Sequence, residues 1–128
     1  MAKKDGPEQR RRILVVEDYP ATVELMKSLL EAAGYEASAA YSGKRGLEAA
    51  RAWKPDLILL DVMMPEMSGI EVCNQLKADP ETSAIPVVIV SIRAAEEDVR
   101  VGVKAGAAAY MVKPFEPADL LALVKKHA

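Results

Sequence analysis

The stretch DLILLD, residues 56–61, places a carboxylate directly after four consecutive apolar residues. An apolar run of this length, bounded by turn signals, is typical of a buried strand, and an acidic side chain at its end contributes nothing to a hydrophobic core. Asp61 is therefore well placed to act as a nucleophile or a metal ligand in the loop after the strand. The residues Pro65, Ser68 and Gly69 then indicate a turn that leads into a helix.

Three further apolar runs end in side chains that carry polar chemistry. These runs and the residues that end them are 13–16 with Glu17 and Asp18, 87–90 with Ser91, and 107–112 with Lys113 and Pro114. These four strand-like runs therefore end in an acid for the first and, for the other three, in an acid pair, a hydroxyl and an amine, respectively.

Between the strand-like runs, apolar residues recur at steps of three and four, as in Val23, Met26, Leu30 and Ala33. This spacing places the side chains on one face of a helix. Alternating strands and helices are typical of an α/β domain with a parallel sheet. We predict five helices and five strands, the strands at residues 12–16, 35–39, 57–61, 87–91 and 108–112.

Helix boundaries are marked by four residues. Pro20 suits the first turn of a helix, Gly34 the end of one, and Ser42 and Ser68 the N-cap positions of two others.

Length and composition exclude several classes of protein. With 128 residues, 51% of them hydrophobic, the chain can build one domain with its own core. With a formal net charge of −2, the chain lacks the positive potential that attracts a nucleic-acid backbone or an anionic membrane. No apolar stretch approaches the roughly 18 residues of a membrane span, and the start lacks the apolar segment of a signal peptide, so we expect a cytoplasmic protein.

The domain is predicted to cover residues 12–128. Residues 1–11 are polar, contain Gly6 and Pro7 and show no periodicity, so we interpret them as a flexible N-terminal tail.

The ordered set of strand-end residues identifies a family. Glu17 with Asp18, then Asp61, Ser91, and Lys113 with Pro114 resemble the receiver domain of two-component response regulators, and the resemblance spans about residues 12–126. It implies a flavodoxin-like, doubly wound sheet of order 2-1-3-4-5. In such a sheet the strand order reverses between the first and third strands, which is where ligands bind.

A divalent cation is expected at this reversal. Three carboxylates in one pocket repel each other by about 4 kcal/mol per pair at an effective dielectric near 20, so they need a cation. Oxygen ligands suit Mg²⁺, whereas zinc would require the His and Cys ligands that this chain lacks beyond Cys73 and His127. The resemblance implies the ligands, with Asp18 and Asp61 binding Mg²⁺ directly, Glu17 through water, and Met63 through its backbone carbonyl.

The resemblance also implies the chemistry and the switch. Asp61 would accept a phosphoryl group from a phosphohistidine on a sensor histidine kinase or histidine phosphotransfer protein, and Lys113 would neutralise charge. Ser91 would bind a phosphoryl oxygen, and Tyr110 would turn inward in response. Phosphorylation would then alter the face formed by the fourth helix, fifth strand and fifth helix, which meets a downstream protein target. The bond before Pro114 is expected to be cis.

Several alternatives stay open. The chain could stand alone, as a monomer or a phosphorylation-dependent dimer, or be the receiver segment of a longer hybrid kinase or regulator. A phosphorylation-independent docking module would typically lack the acid pair or the lysine, and a hydrolase of the haloacid dehalogenase type would need an acid where Met63 stands. Ile92 follows Ser91 where the family usually has a small residue, which predicts a narrower approach to Asp61.

Overall fold

A computed structural model of the protein describes residues 10–128, so the predicted tail lies outside the described residues except for Arg10 and Arg11. The described chain alternates strands and helices: β1 Arg12–Val16, α1 Pro20–Ala32, β2 Glu36–Ala40, α2 Gly43–Trp53, β3 Leu57–Leu60, α3 Gly69–Ala78, β4 Val87–Ser91, α4 Glu96–Lys104, β5 Ala109–Val112 and α5 Pro117–His127. The five strands are all parallel and lie in the order β2-β1-β3-β4-β5. The predicted fold class and strand order are confirmed.

Four strand boundaries differ from the prediction by one residue: both ends of β2, which ends at Ala40 rather than at residue 39, the end of β3 and the start of β5. β2 begins at Glu36 because the backbone N–H of Tyr35 donates to the Leu30 carbonyl at 3.0 Å and so belongs to the end of α1. β3 ends at Leu60, which leaves Asp61 just beyond the strand, and β5 begins at Ala109. Arg11, assigned to the tail, already joins the sheet, since its carbonyl accepts from Glu36 N–H at 2.9 Å.

The four residues that were predicted to mark helix boundaries lie at the ends of helices. Pro20 begins α1, and Gly34, with φ of +95°, follows the Ala33 cap in the left-handed region that glycine tolerates. Ser42 and Ser68 cap α2 and α3 by accepting hydrogen bonds from backbone N–H groups at 3.2 and 3.3 Å. None of the helices within residues 10–128 is both long and apolar enough to cross a membrane.

The core lies on both faces of the sheet. One face packs under α2 and α3, and its buried residues include Leu14, Ile58, Ile89, Leu47 and Leu76. The other packs under α1 and α5, and its buried residues include Ile13, Leu59, Val90, Leu30 and Leu120. Because both faces of the central strands are covered, their side chains are apolar throughout, and polar chemistry is confined to the strand ends. Cys73 is buried in the first cluster.

Candidate functional site

Three carboxylates converge where β1 and β3 end. Glu17 and Asp18 follow β1, Asp61 follows β3, and the two strands are neighbours whose last residues, Val16 and Leu60, are paired. One carboxylate oxygen from each acid lies within 4.8 Å of the others. Glu17 and Asp61 are only 3% and 6% exposed. The structure therefore brings the three predicted acids together at the reversal of strand order.

Backbone hydrogen bonds of the sheet hold two of these acids in place. The N–H of Glu17 donates to the Ala40 carbonyl of β2, and the N–H of Asp61 donates to the Val16 carbonyl of β1, each at 3.0 Å. One oxygen of the Glu17 carboxylate also accepts from the backbone N–H of Tyr19 at 3.0 Å. These bonds extend the ladder one residue past the strands, so the acids are positioned by the rigid sheet rather than by a loop alone.

Lys113 brings a positive charge to the acids from the far side of β4. Its backbone N–H donates to the Ser91 carbonyl at 2.8 Å, and the following Lys113–Pro114 bond is cis, as the resemblance implies. The ammonium lies 2.5 Å from Glu17 Oε1 and 3.7 Å from Asp61 Oδ1. The amine therefore contacts both buried acids, and Glu17 more closely.

The surroundings of Asp61 disfavour its ionised form. Burial, and next the negative charge of Glu17, raise the pKa of Asp61 from 3.8 to about 6. The ammonium of Lys113 and a backbone hydrogen bond from Met63 lower this pKa, and Asp18 contributes a smaller increase. One ammonium does not offset three clustered acids, which leaves a net negative site that favours a cation.

The donor set fits a hard divalent ion. Every side-chain donor in the cluster is a carboxylate oxygen, and in the residues that the structure describes no other cluster of acids, histidines or cysteines reaches metal-binding spacing. Mg²⁺ prefers such oxygen ligands and keeps several waters, which suits the partly exposed Asp18. Met63, whose carbonyl is the predicted fourth protein ligand, lies two residues after Asp61 in the β3–α3 loop.

The two predicted switch residues bind the same backbone segment. Ser91, fully buried at the end of β4, accepts a hydrogen bond through Oγ from the N–H of Arg93 at 3.1 Å. The hydroxyl of Tyr110 on β5 donates to the carbonyl of Arg93 at 2.8 Å. This role of the Arg93 backbone was missed from the sequence, because a backbone group carries no sequence signal.

Three large, exposed side chains lie next to site residues in the sequence. Tyr19, Met63 and Ile92 each follow a site residue by one or two positions, and they are 63%, 45% and 62% exposed. The narrowing of the approach by Ile92 stays a prediction.

Comparison with known proteins is consistent with this geometry. The family model of the response regulator receiver domain matches residues 13–125. The DNA-binding response regulator MtrA of Mycolicibacterium smegmatis is 40% identical over 116 residues, which are 91% of this chain and 50% of MtrA. The response regulator PleD of Caulobacter vibrioides is 44% identical over 89% of this chain and 25% of PleD. The chain thus spans half or less of the length of these relatives.

Solved structures agree in fold. The chemotaxis protein CheY4 of Vibrio cholerae superposes with a TM-score of 0.88 at 28% identity, covering 93% of this chain and 99% of CheY4. A CheY-like receiver domain protein of Methanospirillum hungatei gives a TM-score of 0.85 at 32% identity, over 91% of this chain and 92% of that one. Fold, acid cluster and family match all lead to one conclusion: the chain belongs to the response regulator receiver domains of two-component signalling.

Proposed function

We propose that this receiver domain accepts a phosphoryl group on Asp61 from a phosphohistidine of a sensor histidine kinase or a histidine phosphotransfer protein. The observation that carries the proposal is the convergence of Glu17, Asp18 and Asp61 within 4.8 Å, with the ammonium of Lys113 3.7 Å from Asp61. The domain would assist its own phosphorylation and dephosphorylation rather than act on a separate substrate.

The transfer is a displacement at phosphorus. A carboxylate oxygen of Asp61 forms a bond to phosphorus while the bond from phosphorus to the histidine nitrogen breaks. The electron pair of that bond stays on the imidazole, which takes a proton from solvent. Such a reaction asks the protein mainly for alignment and for neutralisation of charge. The hydrogen bond from Asp61 N–H to Val16 supports alignment, because it ties the nucleophile to the sheet.

Neutralisation is assigned to a cation and an amine. Asp18 and Asp61 would hold Mg²⁺ directly, Glu17 through water, and Met63 through its carbonyl. When bound, Mg²⁺ supplies positive charge beside the phosphoryl oxygens. Lys113 can turn from Glu17 toward the phosphoryl group, since its ammonium already lies within reach of both acids. Fixed positive charge of this kind is most effective in a buried site.

The switch is proposed to start at Ser91. Its hydroxyl would bind a phosphoryl oxygen and thereby alter the hydrogen bond that it accepts from Arg93. Because Tyr110 donates to the carbonyl of the same residue, a shift of Arg93 reaches β5 directly. We propose that a downstream protein target distinguishes the two states by the face that α4, β5 and α5 form.

Labelled acetyl phosphate tests the proposed reaction. In the presence of Mg²⁺ the folded protein should take up label that survives acid and is lost in mild base, as expected for an acyl phosphate, and EDTA should abolish the uptake. The Asp119→Asn variant, altered at an exposed acid on α5, serves as a matched control and should be labelled like the wild type. A folded protein that takes up no label would favour the phosphorylation-independent docking module.

A further inference from the structure

Gly69, the first residue of α3, packs directly against the peptide that carries Asp61 out of β3. A Cβ atom built at Gly69 would lie 2.1 Å from the Asp61 carbonyl oxygen and 2.7 Å from the Cα of Val62. The N–H of Gly69 also donates to the Val62 carbonyl at 2.9 Å. The atoms that a side chain would meet belong to the backbone, so no rotamer change could make room for it.

The preceding peptide, which carries the N–H of Asp61, is held by β1. Asp61 N–H donates to the carbonyl of Val16, the residue that precedes Glu17. The backbone of Asp61 is therefore held by β1 at its N–H and contacted by the start of α3 at its carbonyl. Its carboxylate projects into the acid cluster from this fixed position.

Gly69 differs in this respect from the other helical glycines. A Cβ at Gly43, Gly46 or Gly102 would meet the end of a side chain first, namely that of Val72, Val16 or Ile89, at 2.8, 2.8 and 2.9 Å. Only at Gly69, among the helical glycines of residues 10–128, would the new atom meet the backbone of a site residue.

We propose that Gly69 is a positioning residue for phosphoryl transfer: the absence of a side chain lets α3 begin in contact with the Asp61 carbonyl, and this contact sets where the Asp61 carboxylate lies among Glu17, Asp18 and Lys113. This inference rests on the proposed role of Asp61. A methyl group at residue 69 must displace either α3 or the Asp61–Val62 peptide by about an ångström, and a misplacement of about 1 Å can slow a positioned reaction by about 100-fold.

The neighbouring Ser68 offers a matched control. Ser68→Ala removes the cap hydrogen bond that Ser68 Oγ accepts from the N–H of Glu71 at 3.3 Å, so it weakens the start of α3. It adds no atom near Asp61. Gly69→Ala and Ser68→Ala therefore both disturb the start of α3, but only the first crowds the peptide that carries Asp61.

The first measurement is the rate of phosphorylation by acetyl phosphate with saturating Mg²⁺. Gly69→Ala should be slower than the wild type by about tenfold or more, and Ser68→Ala should stay within about twofold of it. Equal rates in Gly69→Ala and the wild type would overturn the positioning role. A wild-type protein that takes up no phosphoryl group would instead overturn the proposed function, and the second measurement would still decide the role of Gly69.

The second measurement is a double-mutant cycle in EDTA, which needs neither phosphorylation nor metal. Asp61→Asn is introduced into the wild type, Gly69→Ala and Ser68→Ala, and the urea midpoint of unfolding is determined in sucrose, which favours the folded chain. Asp61 lies within 4.8 Å of two other acids, so Asp61→Asn should raise the unfolding midpoint of the wild type by removing repulsion between them. If Gly69 places Asp61 among the acids, this gain should fall by about half or more in Gly69→Ala and persist in Ser68→Ala. Equal gains in the three backgrounds would contradict the proposal. A Gly69→Ala chain that stays unfolded even in sucrose would also overturn it, because the glycine would then be a requirement of the fold rather than of the site.

Discussion

Lys113 forms its closest contact with Glu17, at 2.5 Å, and lies 3.7 Å from Asp61, the proposed phosphoacceptor. Lys113 and Glu17 are 96 residues apart in the chain, yet their side chains are only 17% and 4% exposed. The pair places a positive charge over the acid cluster without neutralising Asp61, whose pKa stays raised to about 6. Without a bound metal, burying these acids together opposes folding. Substitutions of Lys113 or of the acids should therefore first change the free energy of unfolding.

Lys113→Met should destabilise the metal-free protein. The substitution leaves Glu17 buried without its ammonium partner, and removal of one member of a buried pair costs about 3 kcal/mol or more. Urea unfolding in EDTA measures the loss, with Lys125→Met on the exposed side of α5 as a control that should change stability by less than about 0.5 kcal/mol. Equal stabilities of the two variants would show that Lys113 does not offset the acids.

Asp61→Asn should stabilise the metal-free protein above pH 6. Folding raises the pKa of this carboxyl from 3.8 to about 6, so the folded state holds the proton more tightly than the unfolded state. The ionised form therefore opposes folding at higher pH, by about 3 kcal/mol, and this cost disappears as the pH falls toward 4. The free energy of unfolding, measured in EDTA between pH 4 and 8, should show a gain for the variant that grows through this window.

The exposed Asp119 provides the control for this pH dependence. Asp119→Asn should alter stability by a few tenths of a kcal/mol at most, without the steep change between pH 4 and 6. A gain from Asp61→Asn that is constant across the range would indicate a change in packing rather than the removal of a charge.

Mg²⁺ should stabilise the wild-type fold and lose this effect when Asp18 is changed. At a free concentration about ten times the dissociation constant, an ion that binds only the folded state adds about 1.4 kcal/mol. Thermal unfolding with Mg²⁺ and with EDTA gives the comparison. Asp18→Asn should abolish the response because it removes one of the clustered carboxylates. If millimolar Mg²⁺ leaves the melting temperature of the wild type unchanged, this result would contradict the proposed metal site.

Phosphorylation should change hydrogen exchange in α4, β5 and α5, residues 96–127, and leave α2 unchanged. The reason is that Ser91 and Tyr110 both bind Arg93, between β4 and α4. Tyr110→Phe, which lacks the hydroxyl, should reduce the change in these elements. Identical exchange across residues 96–127 in both states would refute the proposed switch.

The apolar runs are sufficient to predict where the site lies. Strands covered on both faces, such as β3, must be apolar throughout, so a carboxylate like Asp61 stands out where the run ends. The strand order came instead from the resemblance carried by Lys113, Ser91 and the acid pair. Sequence periodicity alone does not determine which strands are neighbours.

The finer geometry depends on packing that the sequence does not encode locally. The ammonium of Lys113 lies closer to Glu17 than to Asp61, and these two distances depend on the conformation of one long side chain. Gly69 was predicted as a turn residue, and only the 2.1 Å approach of a built Cβ to the Asp61 carbonyl shows why no larger residue fits. Tyr35 was predicted to begin β2, but its backbone N–H donates to the Leu30 carbonyl and so completes the end of α1.

Site-resolved mass spectrometry determines whether Asp61 is the phosphoacceptor. The protein is treated with acetyl phosphate and Mg²⁺, reduced with borohydride to mark the acyl phosphate, and digested. We predict one modified residue, Asp61, with the mark absent from Asp61→Asn and retained in Asp119→Asn. A mark at another acid, or one that persists in Asp61→Asn, would contradict the assignment.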